Sequence, residues 1–199
     1  MARRTGRRPG NPDTREAILG AARDAFAERG YDSASIRNIA ARAEVDPALV
    51  HHYFGTKEQL FFATIQLPVN PGELLPRIAA GGRAEAGERL VRTFLQVWDS
   101  PVGSAGAALL RSAMSSELRA RLLREFLTTQ VLRRLLRMLD LDGTPDAPMR
   151  AALAATQMSG LAMMRYIIKL EPLASAPPET VVAAVGPTIQ RYLTGDLPG

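Results

Sequence analysis

Apolar residues recur every three or four positions through most of the chain, which predicts helices and little else. Ile18, Ala22 and Phe26 are four apart, and Leu19 and Ala25 widen that stripe to a core face. With Asp13 or Thr14 as the cap, the pattern predicts a first helix to about Arg29, stopped by Gly30. Ile36, Ile39, Ala40 and Ala43 form a second, shorter stripe behind Ser35, a good N-cap. The stripe ends at Ala43, and Glu44-Val45 makes a corner. Asp46 caps a third segment, Pro47 sits at its first turn, and Gly55 closes it after Phe54. Thr56 caps a fourth helix carrying Leu60, Phe61, Ala63, Thr64 and Ile65, cut short by Pro68 and Pro71.

Beyond that point the helical period continues. Asn70 to Ala80 reads as a short helix before the Gly81-Gly82 break. Glu88 to Ser100 and Ser104 to Met114 follow, with a turn at 101–103. Ser116 caps one long helix through Leu118, Leu122, Phe126, Val131, Leu135 and Met138, with arginines along its other side. The arginine face reads as solvated surface, with a second nucleic-acid site as the alternative. Met149 to Leu170 and Pro178 to Thr194 complete the chain. The first of these is apolar nearly all round, so it needs cover on more than one side, and a second subunit is the natural cover. The fold class predicted is all-α, of about nine or ten helices, with an N-terminal three-helix domain and a C-terminal helical bundle. The domains expected are a basic arm over 1–12, a first domain over 13–66 and a second over 67–199.

Composition narrows the function. A chain of 199 residues that is 46% hydrophobic can build a core, and no apolar run approaches the ~20 residues of a membrane span. The start carries no apolar segment behind its charges, so no secretory signal is read there and the cytoplasm is the default. No cysteine is present, which excludes disulfides, thiolate metal sites and cysteine nucleophiles. The net charge of +5 permits a nucleic-acid partner. Lys57 and Lys169 are the only lysines, so arginine carries nearly all the positive charge, which reads as composition bias. Arg3, Arg4, Arg7 and Arg8 lie among Gly6, Pro9, Gly10 and Pro12, which prevent a helix. Such an arm either follows phosphates or the minor groove, or is a solvated tail. No strand, phosphate loop or catalytic constellation is read: the two histidines, His51 and His52, are adjacent and cannot share a metal at i, i+4 spacing. No cofactor and no metal are expected, and enzyme activity is not.

Two short helices joined by a tight corner and preceded by a longer one form a helix-turn-helix, whose second helix enters the DNA major groove. The segments ILGAARDAFAERGYDSASIRNIA and VDPALVHHYFGTKEQLF go further. Phe26, Gly30-Tyr31, Ser35, Ile39-Ala40, Val45, Tyr53-Phe54, Lys57 and Leu60 stand at the spacing of the TetR family of bacterial transcriptional regulators, which this quarter of the chain resembles. Two positions depart from the family pattern: Glu44 replaces a turn glycine, and His51 replaces a tyrosine that touches the DNA backbone.

The resemblance implies a homodimeric repressor on a palindromic operator, released by a small-molecule effector. It implies a DNA-contacting set of Ser35, Arg37, Pro47, Ala48, Leu49, His51, His52, Tyr53, Thr56 and Lys57. Within it Arg37 either reads a base edge or clamps a phosphate, and Pro47, Ala48 and Leu49 can read only by apolar contact. His51 and His52 lie either on the DNA face or partly buried against the first helix. Lys57 resembles the family's phosphate-binding lysine. The last two helices, about 149–170 and 178–194, are the implied dimer contact. For an effector pocket in the second domain the candidate lining is Phe94, Trp98, Met114, Phe126, Gln130, Gln157, Met158, Met164 and Tyr166, which suits a hydrophobic or aromatic molecule. Each of these is otherwise ordinary core, and mid-helix Gln130 and Gln157 need hydrogen-bond partners. The competing class is a small-molecule-binding helical protein, or a rare enzyme, that keeps the helix-turn-helix without using it.

Overall fold

The computed structural model describes residues 12–66 and 69–197, and all regular structure among them is helical. The expected basic arm and Pro68 lie outside the described residues, except that Pro12 begins the first helix. The described residues divide into two compact units. One holds those up to Gln66 together with Leu118–Glu125; the other holds the remainder.

The first unit begins with α1 (Pro12–Ser33), which starts a residue or two before the Asp13 or Thr14 cap read from the sequence. At Gly30 the backbone takes φ 75, ψ 168, so the expected stop is a kink, and a last turn continues to Ser33. There follow α2 (Ile36–Arg42), α3 (Pro47–Phe54) and α4 (Lys57–Ile65). Ile18, Ala22 and Phe26 of α1, Ile39 and Ala40 of α2, Val50 and Phe54 of α3, and Leu60 and Phe61 of α4 are all buried. Phe26 packs edge-on to Phe61 at 4.8 Å between centroids, and Tyr31 lies 5.1 Å from Phe61. Aromatic pairs of this geometry hold small cores beyond what area alone gives.

In the second unit, α5 (Pro71–Ala79) is capped by Asn70, whose Oδ1 accepts from the Gly72 N–H at 2.9 Å. Then come α6 (Ala86–Trp98), two residues ahead of the periodicity reading, and α7 (Gly103–Met114). The predicted single helix from Ser116 to Met138 is interrupted. It consists of α8 (Glu117–Phe126), whose residues Leu118–Glu125 belong to the first unit, a π-helical turn over Leu127–Leu132, and α9 (Arg133–Met138). Likewise α10 (Ala147–Ala162) runs into a second π-helical turn, Met163–Ile167, and does not reach Leu170 as one α-helix. Residue-type periodicity cannot see a π turn, because one extra residue per turn leaves the apolar count nearly unchanged. The last helix, α11 (Pro178–Thr194), has the predicted bounds.

The core of this unit is aliphatic: Val91, Leu95, Leu135, Leu139, Ala154, Met158, Leu161, Val182, Ile189 and Leu193 are buried together. Its tightest seam is between α6 and α11. There the Gly87 N–H donates to Gln190 Oε1 at 2.9 Å, and a Cβ at Gly87 would stand 2.5 Å from the Gly186 carbonyl oxygen. Only a residue without a side chain permits that approach.

Candidate nucleic-acid interface

Three local hydrogen-bond devices fix the helix-turn-helix. Ser35 caps α2 by accepting from the Asn38 N–H at 3.2 Å. Asp46 caps α3 by accepting from the Ala48 N–H at 2.7 Å, with Pro47 at the first turn. Thr56 and Gln59 form a reciprocal capping box at the start of α4: the Gln59 N–H donates to Thr56 Oγ1 at 3.1 Å, and the Thr56 N–H to Gln59 Oε1 at 2.9 Å. Each such cap contributes ~1 kcal/mol. The corner is left-handed at Glu44, φ 54. A side chain in that region costs about 1 kcal/mol or more, and the caps on either side offset it. Gly55 closes α3 at φ 70.

The exposed face of the helix-turn-helix follows from what these caps orient. Arg37, Pro47, Ala48, His51 and His52 are exposed, while Leu49 and Tyr53 are half-buried. The burial of the two histidines against α1, the alternative left open by the sequence, does not occur. His51 Nδ1 lies 2.8 Å from the Gly55 carbonyl oxygen and ties off the end of α3. The His52 ring meets Tyr53 edge-on at 5.5 Å. Ser35 and Thr56 are exposed, and their hydroxyls accept the capping bonds described.

Lys57 sits differently from the simple picture of an extended phosphate ligand. Its Nζ lies 4.5 Å above the Tyr31 ring and donates to the Asp32 carbonyl oxygen at 3.3 Å. Partial burial there lowers its pKa, opposed by the charge of Asp32. The amine is thus held at the end of α1.

Three further contacts were invisible to sequence reasoning. Arg42, on α2, pairs with Glu28 of α1, and that hydrogen bond holds the Glu28 carboxyl below its ordinary range. The Arg15 guanidinium lies 5.2 Å from the centroid of the Phe54 ring. Glu125, from the α8 segment that folds with this unit, accepts from the Tyr31 N–H at 2.5 Å. Its acceptor joins residues 94 apart in sequence. No periodicity argument reaches that far.

The nine residues expected around an effector fall into three groups. Phe94, Trp98 and Tyr166 form an aromatic ladder with centroid spacings of 5.4 and 5.1 Å. The Tyr166 hydroxyl donates to Asp99 Oδ1 at 2.8 Å. Burial, then that bond to a carboxylate, push the Tyr166 phenol up to about 12. Phe126, Gln130 and Met158 are buried, and Gln157 is half-buried. Met114 and Met164 are instead surface residues, 72% and 39% exposed. Met114 is the last residue of α7 and Met164 stands on the second π turn, so neither is covered by its own helix packing. Sequence reasoning missed Arg165, which is 7% exposed. A charge inside an otherwise apolar run was the available signal.

Among the described residues no group of three or more His, Cys, Asp or Glu side chains is placed to hold a metal ion, and no helix is long and apolar enough to cross a membrane.

The architecture has recognisable relatives. Residues 18–64 match the family profile of bacterial regulatory proteins of the tetR family. Residues 84–193 match the tetracyclin repressor-like C-terminal domain. The HTH-type transcriptional repressor Rv3405c of Mycobacterium tuberculosis strain H37Rv is 52% identical over 56 residues, 28% of this chain and 30% of that protein's length. The HTH-type transcriptional repressor AcnR of Corynebacterium efficiens is 40% identical over 63 residues, 32% of each chain. These curated relatives are therefore matched over less than a third of their length. A TetR-family regulator of Streptomyces coelicolor A3 is 44% identical, with 94% of this chain and 98% of that one covered and a TM-score of 0.46. The family and these named relatives are transcriptional regulators, not enzymes. With a helix-turn-helix profile at one end and the family's C-terminal profile across more than half of the chain, the protein belongs to the TetR family of transcriptional regulators.

Proposed function

We propose that the protein is an effector-responsive repressor that works in the cytoplasm and binds a palindromic operator as a homodimer. The observation that carries this is the exposed face of a fully capped helix-turn-helix: Arg37, Pro47, Ala48 and His52 are solvent-facing on helices whose ends are fixed. Arg37 has the geometry class that reads guanine, and Pro47 and Ala48 suit a thymine methyl. Ser35, Leu49, His51, Tyr53, Thr56 and Lys57 complete the DNA-contacting set, chiefly toward the backbone. Two such heads reading half-sites about one helical turn apart require two subunits. Support for pairing comes from α10 and the segment after it, where Met149, Ile168 and Leu170 are 60%, 56% and 53% exposed in the single chain, beside exposed Ala152, Ser159 and Gly160. A second copy covering α10 and α11 would remove that apolar surface from water. Release follows if an effector in the second unit binds better to a form whose heads miss the operator spacing.

The test begins with selection of genomic fragments on the full-length protein. Arg37→Ala on the selected operator is expected to weaken specific binding by ~1–3 kcal/mol and to relax preference at one base pair. Uniform weakening across all sequences would make Arg37 a phosphate clamp. A monomer in sedimentation, or indifference to every duplex at low salt, would remove the proposal itself.

A further inference from the structure

Arg165 stands on the second π-helical turn and is 7% exposed. Its Nη1 donates to the Leu173 carbonyl oxygen at 2.5 Å, and its guanidinium carbon lies 5.6 Å from the centroid of the Tyr166 ring. Its Nε is buried with no acceptor. Asp99 accepts from the Tyr166 hydroxyl, and Glu171 accepts from the hydroxyl and the N–H of Ser175.

Arg150, earlier on the same helix, shows the ordinary arrangement. It meets Asp146 at 2.7 Å and donates to the carbonyl oxygens of Tyr192 and Gly195. An arginine cannot shed its proton to escape burial, so a buried one needs an anion or a full set of acceptors. Arg165 has one neutral carbonyl, the neutral hydroxyl of Tyr166 and that residue's aromatic face, none of them an anion, and its Nε has no acceptor.

A second buried polar group is left short in the same unit. Gln130, on the first π turn, is 1% exposed; its Nε2 donates to Thr129 Oγ1 at 3.1 Å, but its Oε1 has no donor. π turns are frequent at functional sites. Both unsatisfied buried side chains of the described structure lie on such turns.

We infer that the second unit binds an organic anion, an apolar or aromatic body carrying a carboxylate, with the carboxylate on Arg165 and the body along the Phe94–Trp98–Tyr166 ladder. The inference rests on reading this unit as the effector sensor and sharpens it: the ligand is an acid, not a neutral hydrophobe. A carboxylate supplies the counter-charge and the acceptor for Nε in one planar group. The aromatic ladder supplies the matching apolar surface beside it.

Trp98 is the only tryptophan in the chain, so its emission reports this site alone. The full-length protein is titrated at pH 7 with 4-phenylbutyrate and octanoate and with their neutral amides, which keep shape and lose charge. At least one acid is expected to change Trp98 emission saturably and to bind at least about tenfold more tightly than its amide. Arg165→Met should abolish that preference, and Arg165→Lys should retain part of it, which guards against a folding failure in the first variant. Three results would each overturn the inference. They are an acid preference below tenfold, a preference that survives Arg165→Met, and no response to either acid up to 10 mM. Operator release, measured in parallel on the selected fragments, separates the two layers. An acid that binds but leaves DNA bound refutes effector release and leaves the anion site standing. Intact operator binding with no acid response does the reverse.

Discussion

The two units solve opposite problems. In the first, the helix ends that form the reading head are capped, with Ser35, Asp46 and Thr56 each bonding within three residues, and the core is a small aromatic cluster. In the second, α6 and α11 press together backbone to backbone at Gly87 and Gly186, two π turns interrupt the helices, and Gln130 and Arg165 carry unmet hydrogen-bonding capacity. A reading head has to hold its geometry when it meets DNA. If the second unit senses an effector, as proposed, it has to have something to gain from a ligand. Unmet capacity in a buried site is a gain held in reserve, because its free energy is recovered only when a partner arrives.

That contrast can be broken at several points. The largest effect is expected at the seam. Gly87→Ala places a methyl 2.5 Å from the Gly186 carbonyl oxygen and 2.6 Å from the Gln190 nitrogen, both backbone atoms that no rotamer change can move. Overpacking of this kind costs on the order of 3 kcal/mol. In urea melts the loss should fall on the second unit's transition; a variant as stable as wild type would mean that the seam is slack.

A smaller loss is expected in the head. Asp46→Ala removes the bond to the Ala48 N–H and should cost ~1 kcal/mol, with operator affinity falling as α3 frays. An unchanged melting temperature together with unchanged DNA binding would show that tertiary packing alone holds α3.

The smallest effect at neutral pH, and the most diagnostic, concerns the ladder. Tyr166 ionises at about 12 in the folded protein, above its ordinary 10, so the folded state holds that proton after the unfolded chain has lost it. Stability from this group is complete below pH 10 and declines as pH rises from about 10 toward 12. Tyr166→Phe should remove that part of the alkaline decline. Phenolate absorbance in the wild type should show one tyrosine titrating late. If all four tyrosines titrate together near 10, the ladder is open to water and the contrast between the units weakens.

Legibility in the sequence followed the range of the interactions. Ser35, Asp46 and Thr56 were readable because a cap and its acceptor lie within three residues, and the bounds of α11 were readable from Pro178 and the stop at Gly195. The corner at Glu44 was readable for the same local reason. Opaque to it were the contacts joining distant segments: Glu125 to Tyr31, Arg92 to Glu179, and Gly87 to Gln190. The π turns were opaque because they change hydrogen-bond register without changing the apolar pattern. Lys57 was identified as a cation at a helix start, yet its perch on the Tyr31 ring depends on α1 and α4 meeting in space. Arg165 was visible only as a charge inside an apolar run, because its burial and its unmet Nε depend on the π turn and on the Leu173 carbonyl meeting it in space.

The acceptor that Glu125 offers to Tyr31 has a practical corollary for protein engineering. Because the caps are short-range, the head can be cut out and fused to a foreign sensor as a cassette, and a natural place to cut is after Gln66. Such a chimera leaves the α8 segment behind, so the bend after Gly30 loses the carboxylate that grips it. A transplanted head of this family member should therefore carry a substitute acid with it.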